Sequence, residues 1–266
     1  MGKLNFCSLS SGSSGNCYYL GNEFNGILID AGIPAGTIRK FLRDKGISMQ
    51  TIVGVLVTHN HTDHIRGLEL LTRKNHLPVF TTQKIWKSIV SRQHNISGIT
   101  VREIGLQQQF HLAGFDIEAF PVSHDAPETI GFHICAGDLK ITITTDLGHI
   151  CQTAAPYIEA ANLLVIESNY DEKMLMNGNY PHFLKARILS DHGHLGNHQT
   201  SAFLADIVGE NLRYICLAHL SNKNNTPEIA LQTLQQTFAE KGVSTNGKPQ
   251  ISILNRNMPS EVIRLI

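Results

Sequence analysis

Four potential metal ligands fall within six residues of this chain: His59, His61, Asp63 and His64, in the run Thr58-His59-Asn60-His61-Thr62-Asp63-His64. The preceding Gly54-Val55-Leu56-Val57 is continuously apolar, as a buried strand is, and a helical pattern follows from His64 to Arg73. A strand-to-helix turn points all four side chains toward one cavity. A strand buried on both faces also needs covering layers on either side of its sheet. The motif therefore confines the chain to a layered α/β fold with a metal pocket at a strand's carboxyl end.

Three more residues share that setting. His124 follows Ala119-Phe120-Pro121-Val122-Ser123, Asp146 follows Ile141-Thr142-Ile143-Thr144-Thr145, and His219 follows Tyr214-Ile215-Cys216-Leu217-Ala218. Each is a polar ligand ending an apolar strand, where layered α/β folds place their ligand sites. The seven residues divide naturally into two sets. His59, His61 and His124 suit one ion, and Asp63, His64 and His219 the other. Asp146 suits a bridge, because a carboxylate has two oxygens and an imidazole cannot span two metals. Two ions about 3.5–4 Å apart hold a shared water and lower its pKa toward about 7. The expected cofactors are two divalent metal ions, Zn or Mn, with Fe also compatible with a mixed nitrogen and oxygen set.

The rest of the chain reads as strands Leu4 to Leu9, Cys17 to Leu20 and Gly26 to Ile29, helices from about Pro34 to Lys45 and from Gln83 to Arg92, and a meander of strands from Ile99 to Thr144. Strands Leu163 to Ile166, Tyr214 to Ala218 and Ile251 to Leu254 then alternate with helices Gln199 to Val208 and Pro227 to Lys241. Two sheets between helices, in a single domain over residues 1–266, is the expectation.

Lys+Arg and Asp+Glu stand at 22 each, so any nucleic-acid binding must rest on a local site and not on a basic balance. Among the 14 histidines, His76, His94 and His111 stand apart from any cluster and read as surface residues. The five cysteines, Cys7, Cys17, Cys135, Cys151 and Cys216, are odd in number, lack a C-x-x-C pair and sit mostly in apolar stretches. They read as reduced thiols of a cytoplasmic protein. No signal-peptide core follows Met1, and no apolar run is long enough to span a membrane.

Taken together, Ile29-Asp30-Ala31-Gly32, the H-x-H-x-D-H run, His124, Asp146 and His219 resemble the metallo-β-lactamase superfamily. The resemblance implies a four-layer αββα sandwich, two mixed sheets flanked by helices. It makes Asp30 the carboxylate that orients the metal ligands. A closer resemblance is to the YycJ/WalJ-like subfamily, and it rests on several ordered blocks. These are Ser10-Ser11-Gly12-Ser13-Ser14-Gly15-Asn16, Ser123-His124-Asp125-Ala126, Thr145-Asp146-Leu147-Gly148, Glu167-Ser168-Asn169-Tyr170-Asp171, the segment from Tyr180 to Leu189, Gly193-His194-Leu195-Gly196-Asn197, and the segment from Ala218 to Asn225. That subfamily implies 5′→3′ exonuclease action on double-stranded DNA. One departure is Gly196, where the subfamily has serine.

Other members of the superfamily fit less well. The zinc β-lactamases with a cysteine ligand carry it where Asp146 stands, and lack a histidine partner to Asp63. The stretch from Asp146 to His219 is too short for the inserted domain of the β-CASP nucleases, and that from His124 to Asp146 leaves no room for the arm of tRNase Z. His194, in the loop Asp191-His192-Gly193-His194-Leu195-Gly196-Asn197, matches a tRNase Z histidine that assists the leaving group. Asp63 and His194 are the candidate catalytic residues. Candidate phosphate and substrate contacts are Ser13, Ser14 and Asn16 in the Ser/Gly turn, Lys185 and Arg187 in a basic segment, and Ser221. Tyr180 and Phe183 are candidates to stack on a nucleotide, or core residues. The reading that unites these residues is a two-metal phosphodiesterase acting on nucleic acid, a DNA exonuclease working by in-line attack of hydroxide on phosphorus. The alternatives are a hydrolase of a small ester, thioester or lactone, and a metal-binding scaffold without turnover.

Overall fold

The computed structural model describes residues 3–92, 96, 98–244 and 247–265; His94 lies outside them. The chain divides into two compact units. One comprises Met1–Ala119, Ala126–Glu128 and Asn255–Ile266, the other Phe120–Asp125 and Thr129–Leu254.

A mixed seven-stranded sheet lies in the first unit. Its strands are β1 (Leu4–Ser10), β2 (Cys17–Gly21), β3 (Gly26–Ile29), β4 (Ile52–Leu56), β5 (Val79–Thr81), β6 (Val101–Glu103) and the C-terminal β14 (Ile263–Leu265), in the order β14-β1-β2-β3-β4-β5-β6. The strands from β14 to β3 pair antiparallel, and β3 to β6 parallel. Parallel neighbours need crossovers, and helices supply them. These are α1 (Ala35–Asp44) between β3 and β4, α2 (Thr62–Ile65) and α3 (Leu68–Asn75) between β4 and β5, and α4 (Gln83–Arg92) between β5 and β6. Helix α1 buries Ala35, Ile38 and Leu42, a stripe at helical spacing.

The second sheet runs β13-β12-β11-β10-β9-β8-β7. Its strands are β7 (Gln109–Leu112), β8 (Phe115–Pro121), β9 (Ile130–Ala136), β10 (Leu139–Thr144), β11 (Leu163–Glu167), β12 (Tyr214–Ala218) and β13 (Gln250–Ile253). Strands β10 to β13 are parallel and their crossovers carry α5 (Ala155–Glu159), α6 (Glu172–Asn177), α7 (His182–Leu189), α8 (Asn197–Ile207) and α9 (Pro227–Glu240). Helix α9 shows why such elements form. Thr226 caps it by accepting from the Ile229 N–H at 3.2 Å, Pro227 opens it, and Ala230, Thr233, Leu234, Thr237 and Phe238 make one buried stripe. That stripe joins a core with Ile158, Leu164, Ile166, Leu204, Ile215 and Leu217.

Two mixed sheets flanked by helices are thus present, as the residue pattern implied, with differences of detail. The helix read from His64 to Arg73 is broken at Arg66–Gly67. There the Gly67 N–H donates to the Ala31 carbonyl at 2.8 Å, and a Cβ on Gly67 would lie 2.2 Å from the Ile33 oxygen. The segment read as one meander is split, since β6 pairs in parallel with β5 in the first sheet. Strand β14 and helices α5 to α7 were not read from the pattern; each is short, and periodicity needs length. No helix among the described residues is long and apolar enough to cross a membrane. Cys7, Cys17 and Cys216 are buried free thiols, with burial raising the Cys216 pKa to about 12.

Gly32 is the tightest backbone approach in the first unit. Its N–H donates to the Asn16 carbonyl at 2.8 Å, the Asn16 N–H donates to the Asp63 carbonyl at 2.7 Å, and a Cβ would fall 1.7 Å from that same oxygen. Gly36, on α1, has nothing within 4 Å of where its Cβ would be. We expect Gly32→Ala to cost about 1–3 kcal/mol or more by overpacking. Gly36→Ala should stabilise by roughly 0.5–1 kcal/mol through helix propensity. Denaturant midpoints of the two variants check both, and equal midpoints would refute the steric argument.

Candidate metal centre

In the first unit the ligand run leaves β4 and turns into α2. Asp30, just past β3, is fully buried beneath it. Its Oδ1 accepts from the Thr58 N–H at 2.9 Å. Its Oδ2 accepts from the Thr58 hydroxyl at 2.8 Å and from His64 Nδ1 at 2.7 Å. His59 Nδ1 lies 3.0 Å from the same hydroxyl. One carboxylate therefore orients two imidazoles, one directly and one through Thr58, with Nδ1 turned inward on both. The rings of His59 and His64 are 4.0 Å apart, and that of His61 stands edge-on to His59 at 4.7 Å. Asp63 and His61 are half-buried, His59 and His64 fully buried.

Asn16 belongs to this framework. Its side chain is buried; Nδ2 lies 2.9 Å from His64 Nε2 and 3.4 Å from Asp63 Oδ2, while Oδ1 accepts from the Gly12 N–H at 2.8 Å. The structure thus places Asn16 among the metal-ligand candidates, whereas the hydroxyls expected beside it in a phosphate nest, Ser13 and Ser14, are exposed.

The second unit brings together His124, Asp146, Glu167, His194 and His219. Ligand atoms of Asp146, Glu167, His194 and His219 all lie within 4.8 Å of one another. Glu167 ends β11, is fully buried, and is the organising group. Its Oε1 accepts from His219 Nδ1 at 2.7 Å and from His194 Nδ1 at 2.8 Å, and its Oε2 from the Leu147 and Leu195 N–H groups at 3.0 and 3.2 Å. Burial works to raise its pKa, but the neighbouring imidazoles and their hydrogen bonds outweigh burial and lower it. For His194 burial acts downward, and the Glu167 carboxylate overcomes it to raise the pKa. His124 goes the other way. Burial lowers its pKa, and its Nδ1 donates to the Gly193 carbonyl at 2.9 Å, which suits a neutral imidazole presenting Nε2. Asp146 Oδ1 is 3.2 Å from His219 Nδ1 and 3.8 Å from His124 Nε2.

Asp30, Asp146 and His219 share a backbone peculiarity. All three have positive φ, at 59°, 59° and 54°. Non-glycine residues avoid this left-handed region, and its use where a strand ends is a mark of side chains aimed for function. Glu167 was missed as a site residue by the reading of the pattern. The signal was there, an acidic residue ending an apolar strand like Asp146, but the strand was read as stopping at Ile166.

The beta-lactamase superfamily domain matches residues 25–217. The chain belongs to the beta-lactamase superfamily. Within that superfamily it is 34% identical over 264 residues to exodeoxyribonuclease YycJ of Bacillus anthracis, covering 97% of this chain and 98% of that one. It is 33% identical to exodeoxyribonuclease WalJ of Streptococcus pneumoniae, covering 90% and 91%. The crystal structure of the metallo-beta-lactamase fold protein YhfI from Bacillus subtilis superposes with a TM-score of 0.73 at 14% identity, over 97% of this chain and 99% of that one. This superfamily member is a metal-dependent hydrolase of the YycJ/WalJ type.

The donor chemistry fits the metal that the superfamily implies. Imidazole nitrogens and carboxylate oxygens are the ligand types of Zn and Mn, and the inward Nδ1 hydrogen bonds fix the rings as metal ligands require. Other residues singled out in the sequence have partners of their own. Lys185 Nζ donates to the Met176 carbonyl at 2.6 Å, the Arg187 guanidinium meets the Asp125 carboxylate, and the Ser221 hydroxyl accepts from the Asn224 N–H at 3.2 Å. Phe183 is 76% exposed, so it is not a core residue, whereas Tyr180 packs beside the cluster of Tyr170, Leu175 and Ile188. A Cβ at Gly196 would meet the Tyr170 ring at 2.9 Å, so a serine there would require that ring to shift.

Asp30→Asn and Glu167→Gln keep shape but replace an acceptor oxygen by an amide donor. Each should weaken divalent-metal binding by about 10–100-fold, as loss of ligand-orienting partners does. Competition against a chromophoric chelator measures this; unchanged affinity in both variants would show that these carboxylates orient nothing.

Proposed function

We propose that the chain is a two-metal exodeoxyribonuclease that hydrolyses phosphodiester bonds of double-stranded DNA from the 5′ end. Support comes from the extended similarity to two proteins named exodeoxyribonucleases. The observation that carries the chemistry is the His194–Glu167 pair. His194 Nδ1 is held at 2.8 Å by a buried carboxylate, which leaves Nε2 as the nitrogen not engaged by Glu167.

In this reading the residues that would hold divalent ions are His59, His61, Asp63 and His64 of the first unit and His124, Asp146 and His219 of the second. Divalent ions bound there would supply positive charge to the phosphate and acidify the attacking water. The chain's own residues do the rest. Asp63 takes up the proton of that water. The Nε2 of His194 delivers a proton to the departing sugar oxygen, which is a poor leaving group without it. Glu167 holds Nδ1–H and fixes the ring's direction, and its negative charge supports the imidazolium form, which carries the transferable proton on Nε2. Ser13, Ser14, Lys185, Arg187 and Ser221 are the candidate contacts to the strand, and Phe183 is exposed enough to stack on an end base.

Metal-loaded protein should release mononucleotides from 5′-labelled duplex DNA faster than from single-stranded DNA or RNA. It should leave a thioester and a lactone essentially untouched; faster turnover of either would overturn the assignment. Asp146→Ala should lower metal content and abolish cleavage even with metal added back, and full activity there would exclude a bridging role. His194→Ala should keep its metal and slow DNA cleavage by about 10²–10⁴. A nitrophenyl phosphodiester, whose leaving group needs little protonation, should be much less affected. Equal slowing of both substrates would remove His194 from the acid role.

A further inference from the structure

In the second unit Glu167 ends β11, His219 follows β12 and His194 lies in the loop before α8, and a set of buried amides ties the segments after them together. Asn225 lies six residues beyond His219 and is buried. Its Nδ2 donates to the Ser168 and Asn169 carbonyls at 2.9 and 3.1 Å and to Asn197 Oδ1 at 2.8 Å. Its Oδ1 accepts from Asn197 Nδ2 at 3.0 Å, which closes a reciprocal amide pair. Asn197 Oδ1 also accepts from the Ser168 hydroxyl at 2.6 Å. The Asn197 N–H donates to the Tyr170 carbonyl at 2.8 Å, and the Asn169 N–H to the Leu195 carbonyl at 2.8 Å, so the His194 loop runs along the loop after Glu167. On the other side Asn169 Nδ2 donates to the His219 carbonyl at 2.7 Å.

The Asn197–Asn225 pair makes its bonds to the chain segments beside Glu167, His194 and His219, and Asn169 Nδ2 reaches Glu167 Oε1 itself at 3.4 Å. Asn197 sits three residues after His194, Ser168 directly after Glu167. Buried amides left without partners are costly, so a network whose members satisfy one another admits few alternative loop arrangements. We infer that the Asn197–Asn225 amide pair, with Ser168, is a positioning device that sets the His194 imidazole against Glu167 and so tunes proton delivery. This rests on the reading of His194 as proton donor. It also accounts for three sequence blocks otherwise without a joint role, Glu167 to Asp171, Gly193 to Asn197 and Ala218 to Asn225.

The test is a double-mutant cycle. Asn225→Ala alone should slow duplex DNA cleavage by about 10²-fold, as an ångström-scale misplacement does, while sparing bis(4-nitrophenyl) phosphate. In a His194→Ala background the same change should add little, because its effect passes through the missing ring. In metal-free protein, ¹⁵N-imidazole NMR should show the His194 Nδ1–H resonance moving in Asn225→Ala and that of His124 staying. Equal slowing by Asn225→Ala with and without His194, or an unmoved His194 resonance, overturns the positioning role. If Asn225→Ala does not fold, Ser168→Ala, which removes only the hydroxyl donor to Asn197, runs through the same cycle. Failure of the acid reading itself shows separately, as His194→Ala slowing both substrates alike; the cycle and the resonance then still decide whether Asn225 acts through His194.

Discussion

Burial of a carboxylate is expensive unless its charge is met by hydrogen-bond donors, and among the described residues Asp30 and Glu167 are fully buried, with Asp146 only 1% exposed. Each is answered by imidazoles. Asp30 takes His64 directly and His59 by way of Thr58; Glu167 takes His194 and His219 on one oxygen and two backbone N–H groups on the other. The consequence runs in both directions. The carboxylates are tolerable in the interior because the rings are there. The rings cannot rotate because the carboxylates hold their Nδ1 atoms. What is presented outward is a set of preoriented nitrogens, and the structure around both units is arranged to keep it so.

That arrangement is costly to the backbone, and the cost is concentrated at strand ends. Asp30, Asp146 and His219 each adopt the left-handed conformation within two residues of a strand's end, and Gly32 and Gly67 allow main chains to approach where any Cβ would collide. Such features persist only where surrounding contacts outweigh them. Here the surrounding contacts are parallel strands packed on apolar helix faces, with Leu164, Ile166, Ile215 and Leu217 in the core directly beneath the residues that end β11 and β12. The apolar core and the polar site are therefore parts of one mechanical argument: the strands are rigid, so what they end on is fixed.

The amide network extends the same logic from side chains to loops. Ser168, Asn169, Asn197 and Asn225 are polar, buried and mutually hydrogen-bonded. An apolar core tolerates small slips, since dispersion has no direction. A closed set of amide bonds does not, because each slip breaks a donor–acceptor pair that has no water to replace it. Using amides where the His194 loop meets its neighbours places directional contacts where a catalytic side chain demands direction.

The sequence by itself determined the layered class and most of the polar residues at strand ends, because both depend on local regularities. An apolar run followed by a ligand is visible as such, and so are long amphipathic helices such as α1, α4 and α9, whose boundaries were read within a residue or two. Short elements were not legible: α5 to α7 and β14 have too few residues to show a period, and β6 was given to the wrong sheet because pairing is a relation between distant segments. Two polar residues changed their meaning for the same reason. Asn16, in a Ser/Gly turn that suits a phosphate, proves to hold His64 and Asp63; Glu167, read only as the start of a sequence block, proves to hold two histidines. A side chain's chemistry is written in the chain, but its partner is chosen by the tertiary fold, which decides which donors arrive within hydrogen-bond distance of which buried oxygen.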